Sequence, residues 1–206
     1  TSSNLLDMLT MPTRKATDSC DHEHEDDLVA VDEENRRIYL IGAITDNRAA
    51  NFLMALHALD AKEGPITVVL CSHGGSTHAG YMIYDAITLA QNTIIVHGIG
   101  KIFSMAVLVL QAGDLRLLTP QAELMVHDVY ASIQNDEMEI KDAGKLATDL
   151  VENNKRYQSL VAKRCKMSQA KLAKMCSKET YLRAEEAVTL GFADQILRPK
   201  KRPIKA

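Results

Sequence analysis

Short apolar runs alternate with amphipathic runs of helical length along the middle of the chain, and this alternation strongly limits how it can fold. The segment ITVVLC is rich in β-branched residues and short enough to be a buried strand, and TIIVHGIG is predicted as a strand followed by a turn. Before and between them, NRAANFLMALHALDA and AGYMIYDAITLAQ repeat their apolar residues at helical spacing. Strands that alternate with helices predict an α/β fold with right-handed crossovers.

Further elements extend this pattern in both directions. RRIYLIG, LRLL and AELMVHD are predicted strands, and SMAVLVLQAG is a predicted buried helix. A long polar helix is expected from about Asp136 to Cys165, followed by shorter helices to Leu197. We therefore expect one domain over residues 28–197, a flexible polar N-terminal segment over 1–27 and a basic tail over 198–206.

Composition narrows the classes of function. Hydrophobic residues make up 46% of the chain, enough for a full core, and the net charge of -3 gives no electrostatic footprint for nucleic acid. No apolar run approaches the roughly 20 residues that span a bilayer, and no signal peptide is visible. The four cysteines show no pairing pattern. We expect a reduced, cytoplasmic protein that binds neither nucleic acid nor membrane.

The acidic stretch CDHEHEDD brings Cys20, His22 and His24 close together in the sequence. These residue types ligate metals, but their spacing matches no zinc pattern. We interpret the stretch as a solvated acidic tail and expect no metal and no cofactor.

Two adjacent glycines, Gly74 and Gly75, follow the strand ITVVLC. Paired glycines let the backbone turn sharply and bring N–H groups close to a ligand. The loop lacks the Gly-Lys-Ser/Thr ending of a P-loop and the Gly-x-Ser-x-Gly pattern of a nucleophile elbow. On its own, such a pair is more often a plain turn.

Ser104 comes directly before MAVLVLQAG, the most apolar segment of the chain, and directly after a predicted glycine-containing turn. At a helix N-terminus, the N–H groups of Ser104 and Met105 are free and the helix dipole is positive. This environment suits an oxyanion and a nucleophilic hydroxyl. The simpler interpretation is an N-cap without chemistry.

A histidine, His127, ends the predicted strand AELMV, and α/β folds present catalytic groups at strand ends. A lone histidine in such a place is still more often structural. His73, His78 and His97 are rival candidates. His73 and His78 could also be metal ligands, although no third ligand is in obvious reach.

The order of these elements resembles the Clp protease proteolytic subunit (ClpP) family, from roughly Arg36 to Leu197. The family's SPGG loop corresponds to SHGG, its ASMG nucleophile segment to FSMA, and its MIH to MVH. Its AGMAIYDTM helix corresponds to AGYMIYDAI, and the segment of its third catalytic residue corresponds to KETYLRAEEAVTLGFAD. This last segment is especially similar to the virus-encoded head-maturation branch of the family.

The resemblance implies the spiral of repeated β-β-α units shared by ClpP and crotonase-type proteins, with a protruding handle helix. It makes Ser104 the nucleophile and His127 the general base. Gly75 and Met105 become the N–H donors of the oxyanion hole. The family's handle strand and helix start correspond to Val129–Lys141.

Three positions depart from the family's pattern. Glu179 stands where the family usually has the triad aspartate, so a carboxylate is kept that is one methylene longer. Asp128 and Asp194 are the alternatives for this role. His73 replaces the proline of the glycine loop, and Ala106 replaces the glycine after the nucleophile segment's methionine.

The function implied by the resemblance is a serine endopeptidase that forms an acyl-enzyme inside an oligomeric chamber. Its substrates would be proteins or peptides, and its subunits would form heptameric rings stacked as a tetradecamer. An ATP-driven unfoldase would feed the chamber, whereas a virus-type relative would cleave scaffold or capsid proteins without one. The alternatives are a crotonase-type acyl-CoA enzyme and a catalytically silent ring subunit.

Overall fold

The computed structural model describes residues 29–130 and 140–198. The predicted N-terminal segment 1–27 with its Cys/His cluster, and most of the basic tail, lie outside the described residues. The same holds for most of the segment that corresponds to the handle strand. The predicted domain boundaries therefore stay predictions.

The described chain forms eight strands and six helices, which alternate strictly from β2 to β5. The strands are β1 (Ala30–Asp32), β2 (Arg37–Ile41), β3 (Ile66–Ser72), β4 (Ile94–Phe103), β5 (Leu115–Leu118), β6 (Glu123–Val126), β7 (Thr180–Arg183) and β8 (Gln195–Ile196). The helices are α1 (Asp46–Asp60), α2 (Thr77–Thr88), α3 (Met105–Ala112), α4 (Ile140–Arg164), α5 (Gln169–Cys176) and α6 (Ala184–Leu190). No helix of the described part has the length and apolarity to cross a membrane.

The strands form one sheet in the order β1-β2-β3-β4-β5-β8, with a branch at β4. Strands β2 to β5 pair in parallel, with one helix between each strand and the next, whereas β1 joins the edge in antiparallel orientation. The branch consists of β6, parallel to β4, and of β7, antiparallel to β6. The predicted α/β class is confirmed.

The branch exists because β4 continues where the sequence predicts a turn. Its first half pairs with β5 through Ile95–Gly98, and its second half pairs with β6 through Lys101–Phe103. Gly100 has a φ of +63°, a conformation that glycine adopts without strain, and the register with β3 shifts nearby. The expected turn before Ser104 was thus wrong, and the strand runs directly into this residue.

The core lies between the sheet and helices α1 to α3, and it extends to buried residues of α4, α5 and α6. All eight residues of α3 are buried, because this helix is covered by α2 on one side and by α4 on another. A helix that is apolar all round has no face for water, which explains the continuous run MAVLVL. The first residue of this buried helix comes directly after Ser104, so the core fixes where Ser104 lies.

The predicted long polar helix is confirmed as α4, and its two halves differ in burial. Most residues from Asp142 to Glu152 are exposed, whereas Tyr157, Gln158 and Val161 are buried. The chain after α4 contains the strands β7 and β8 as well as short helices, so the prediction of helices alone was incomplete.

A buried arginine joins this C-terminal part to the sheet. Arg116 of β5 is 5% exposed, and its Nη2 lies 2.6 Å from Oδ1 of Asp194. The guanidinium also donates to Oε1 of Gln111 and to the carbonyl of Gly191. Partial burial raises the pKa of Asp194, but the hydrogen bonds from Arg116 outweigh this effect and hold the pKa below its ordinary value.

We predict that Asp194→Asn lowers the free energy of unfolding at pH 7 by about 2 kcal/mol. This is less than for a fully buried pair, because the Asp194 side chain is 33% exposed. The folded-state pKa is depressed, so the stabilisation is present above the unfolded value of 3.8 and is lost as pH falls through the folded pKa. Urea unfolding between pH 7 and pH 3 should show the two proteins converging in acid.

The control is Glu123→Gln, which breaks a pair of 3.9 Å whose arginine, Arg183, is 71% exposed. Such a pair contributes at most about 0.5 kcal/mol. Equal losses for the two variants, or a difference that does not change with pH, would contradict the role given to Asp194.

Candidate active site

Three chain segments meet at the edge of the sheet where β4 and β6 end. The two strands are parallel, with Phe103 opposite Met125, so the residues that follow them, Ser104 and His127, come out side by side. Strand β7 runs antiparallel to β6 with Thr180 opposite Val126. Extending this register by one residue places Glu179 opposite His127.

Ser104 is the point of contact between these segments. Its Oγ lies 2.8 Å from Nε2 of His127, a hydrogen-bond distance, and both side chains are partly buried. Its φ of 55° and ψ of -123° are strained for a residue with a side chain, at a cost of about 1–3 kcal/mol. The hydroxyl makes no cap bond to α3, so it does not serve as the N-cap that the simpler interpretation of the sequence requires.

The glycine loop packs against the Ser104 turn. A Cβ on Gly74 would lie 2.7 Å from Cβ of Ser104 and 3.0 Å from the nitrogen of Met105. Gly75 pairs with Ile44, and a Cβ there would lie 2.3 Å from the Ile44 carbonyl oxygen. Both glycines also have positive φ. The loop can approach this closely only because both residues are glycines.

Two backbone N–H groups of the site have no hydrogen-bond partner among the described residues. They belong to Gly75 and Met105, and both residues line the pocket beside Ser104. Gly75 lies opposite Ile44, but the hydrogen bonds to Ile44 are made by the neighbours of Gly75. The Gly74 carbonyl accepts from the Ile44 N–H, and the Ser76 N–H donates to the Ile44 carbonyl. Met105 opens α3, whose N-terminus carries a partial positive charge. The two groups are free to bind an anionic oxygen.

Glu179 lies at the same pocket but bonds to a different side chain. Its Oε1 accepts a hydrogen bond of 2.8 Å from the Tyr181 hydroxyl, which raises the pKa of Tyr181. Its φ of 49° bends the chain just before β7. Within residues 29–130 and 140–198, no hydrogen bond reaches Nδ1 of His127, and Glu179 and His127 line one pocket.

The two aspartates weighed as alternatives have other partners. Asp194 is held by Arg116, and neither aspartate lines the pocket. Oδ1 of Asp128 accepts from Nε2 of Gln158 at 3.4 Å. The sequence resemblance favours Glu179 over the two aspartates, and of the three carboxylates only Glu179 shares the pocket with Ser104 and His127.

The rival histidines take different places. His73 lines the pocket, and its ring packs edge-to-face on Phe103 at 5.5 Å, whereas neither His78 nor His97 lines it. Within the part of the chain that the structure describes, no group of three metal-ligating side chains comes together. The possible pairing of His73 and His78 on a metal therefore finds no third ligand there.

Thiol chemistry is disfavoured at two of the cysteines. Burial raises the pKa of Cys165 and of Cys176 to about 12, so both stay protonated at neutral pH. None of the described cysteines, Cys71 included, lines the pocket, so no thiol competes there with the Ser104 hydroxyl.

The pocket has a volume of about 430 Å³ and contains residues that the sequence did not indicate. The Tyr130 ring packs on His127 at 5.3 Å, and the Tyr157 hydroxyl donates to the Ser104 carbonyl at 3.3 Å. Tyr157 lies in a polar helix far along the chain, and Tyr130 lies in an irregular segment. Neither position carries a sequence pattern that would have identified it.

The arrangement is therefore a serine, a histidine and a carboxylate around one pocket, beside two free N–H groups. Comparison with family models gives a match to the Clp protease model over residues 21–200 of the 206. The chain belongs to the Clp protease family. Membership of this family supports a Clp-type protease.

A comparison with solved structures agrees with this on the level of the fold. A point mutant of ClpP1 from Listeria monocytogenes superposes with a TM-score of 0.74 at 22% sequence identity. The match covers 82% of this chain and 94% of that chain. The predicted ClpP-type fold is confirmed.

Proposed function

We propose that this Clp-family chain is a serine endopeptidase in which Ser104 is the nucleophile and His127 the general base. The observation that carries the proposal is the 2.8 Å contact between Oγ of Ser104 and Nε2 of His127. A serine hydroxyl is a weak nucleophile at its own pKa, and a base within hydrogen-bond reach activates it. The contact lies at a pocket of about 430 Å³ that both residues line.

The reaction would proceed through an acyl-enzyme. Nε2 of His127 takes the hydroxyl proton as Oγ of Ser104 attacks the peptide carbonyl carbon. The imidazolium then gives this proton to the leaving amine, and the C–N bond breaks. A water molecule, deprotonated by the same nitrogen, then attacks the ester carbon. The imidazolium returns the proton to Oγ of Ser104 as the C–O bond breaks and the carboxylate product leaves.

The negative oxygen of each tetrahedral intermediate would be bound by the N–H groups of Gly75 and Met105. Their freedom from other partners among the described residues supports this role. Such donors act in fixed positions and therefore need no rearrangement when charge develops. The close packing of Gly74 on Ser104 and on the nitrogen of Met105 keeps the glycine loop beside the nucleophile.

Glu179 is proposed as the third member of the triad. Its place opposite His127 in the extended β6–β7 register supports the assignment. With Oε1 bound to Tyr181, its second oxygen is the available acceptor for the Nδ1–H of His127. This bond would hold the imidazole tautomer and stabilise the imidazolium.

The chamber is proposed from the exposed surface of the subunit. The first half of α4 is largely exposed and carries Leu146, Leu150 and Val151, of which Val151 is 52% exposed. Elsewhere, Ile41 and Leu89 are 53% and 82% exposed. Neighbouring apolar side chains on the exposed half of α4 favour contacts with further copies of the chain, whereas single exposed residues such as Ile41 and Leu89 carry no such argument. Stacked heptameric rings, and an unfoldase that supplies substrate, stay predictions from the resemblance.

The first prediction concerns the nucleophile. Ser104→Ala should abolish peptide hydrolysis and leave the fold intact, because the hydroxyl makes no cap bond. The matched control is Ser76→Ala, which removes the N-cap of α2 and should cost about 1 kcal/mol of stability but little activity. Hydrolysis of a quenched-fluorescence peptide library, with circular dichroism on the same samples, provides the test. Wild-type turnover by Ser104→Ala would show that Ser104 is not the nucleophile and would make Ser76 the next candidate.

The second prediction concerns the carboxylate. Glu179→Gln keeps an acceptor for Tyr181 but removes the charge, so kcat should fall by at least about a hundredfold. Asp128→Asn and Asp194→Asn should stay near wild type under identical assembly conditions. If one aspartate variant loses its activity while Glu179→Gln keeps it, that aspartate is the third member of the triad. Three active variants would leave a Ser104–His127 dyad.

The third prediction concerns assembly. Light scattering at micromolar concentration should give a mass many times the 22.8 kDa of one chain. A single ring would preserve the fold assignment but not a sealed chamber. A mass near one chain would contradict the chamber outright.

A further inference from the structure

One face of α4 makes hydrogen bonds to both catalytic segments. The Tyr157 hydroxyl donates to the carbonyl oxygen of Ser104 at 3.3 Å. Oδ1 of Asn154 accepts from the N–H of Val129 at 2.7 Å, two residues after His127. Asn154 and Tyr157 are three residues apart, so their side chains lie on the same side of the helix. One rigid element thus contacts the nucleophile and the segment of the base.

The Ser104 turn needs such support, because its positive φ is strained. The Ser104 N–H donates to the carbonyl of Met125, and the Ser104 carbonyl accepts from the N–H of Val107. Among the described residues, Tyr157 provides the one side-chain hydrogen bond to the backbone of Ser104. Tyr157 is 2% exposed, and burial raises its pKa, so its hydroxyl stays a donor.

The backbone after His127 also depends on a hydrogen bond with α4 to hold its position. Strand β6 ends at Val126, so the ladder no longer holds the chain beyond it. The bond from Val129 to Asn154 fixes the backbone there, between His127 and Tyr130, whose rings are in contact.

We propose that Tyr157 and Asn154 are positioning residues of the peptidase, which hold the Ser104 turn and the His127 segment at their hydrogen-bond distance. The proposal rests on the function proposed above. Substrate binding does not depend on the 2.8 Å contact, whereas proton transfer in acylation does. Loss of either bond should therefore lower kcat and leave KM nearly unchanged.

The test of Tyr157 is Tyr157→Phe, which removes only the hydroxyl. We expect kcat on the best peptide of a quenched-fluorescence library to fall about fivefold, with KM within about twofold. The rate of inactivation by a fluorophosphonate should fall by the same factor. The matched control is Tyr81→Phe, because Tyr81 is 7% exposed and donates to the Asn153 carbonyl of the same helix at 3.4 Å, away from the pocket. The control should lose similar stability and keep its kcat.

The test of Asn154 is a pair of variants. Asn154→Leu has similar size without an acceptor and should lower kcat several-fold, whereas Asn154→Asp keeps the acceptor oxygen and should restore kcat to within about twofold. Asn153→Leu makes the same exchange at a neighbouring side chain that has no hydrogen bond to a described residue, and it should not change kcat.

Three results would overturn the proposal. They are an unchanged kcat in Tyr157→Phe and Asn154→Leu, equal losses in the controls, or losses that come with a changed oligomer mass. The last two would assign a merely structural role to the contacts. Failure of the proposed function is recognised separately, because Ser104→Ala would then retain activity or the wild type would have none.

Discussion

The pairing of β6 with β4 on one side and β7 on the other is the constraint on which the site depends. Because β4 and β6 are parallel and nearly in step, they end together and deliver Ser104 and His127 to the same edge. The antiparallel register of β7 brings Glu179 to that edge from the opposite direction. A shift of one residue in either pairing would turn the side chains to the other face of the sheet.

The strained backbone of Ser104 is held in place by the residues around it. The positive φ at the junction of β4 and α3 directs the hydroxyl away from the helix cap and toward His127. Such a conformation persists only when its surroundings determine it. Here the buried helix α3, the glycine loop and the Tyr157 hydroxyl surround it. The core of the protein thus stabilises a backbone geometry that is unfavourable in isolation.

The parts of the fold with strong local signals could be predicted, and those that depend on distant partners could not. The strand β3 and the helix α3 can be predicted from their apolar runs, because an element that is buried on all sides needs continuous hydrophobic residues. The strand TYLR has no such run, and it is a strand because β6 pairs with it. Gly98 and Gly100 indicated a turn, yet β4 passes through them because its halves have different partners. Ser104 and His127 could be predicted from the order of motifs, but their contact and the place of Glu179 depend on register.

The measurement that tests the central claim most directly is the location of a covalent adduct. After reaction with a fluorophosphonate, digestion and mass spectrometry should find one modified peptide, and fragmentation should place the adduct on Ser104. His127→Ala should slow this modification by orders of magnitude, because the hydroxyl loses its base. An adduct on Ser72 or Ser76, or modification of Ser104 at an unchanged rate without His127, would contradict a nucleophile activated at the meeting point of β4 and β6.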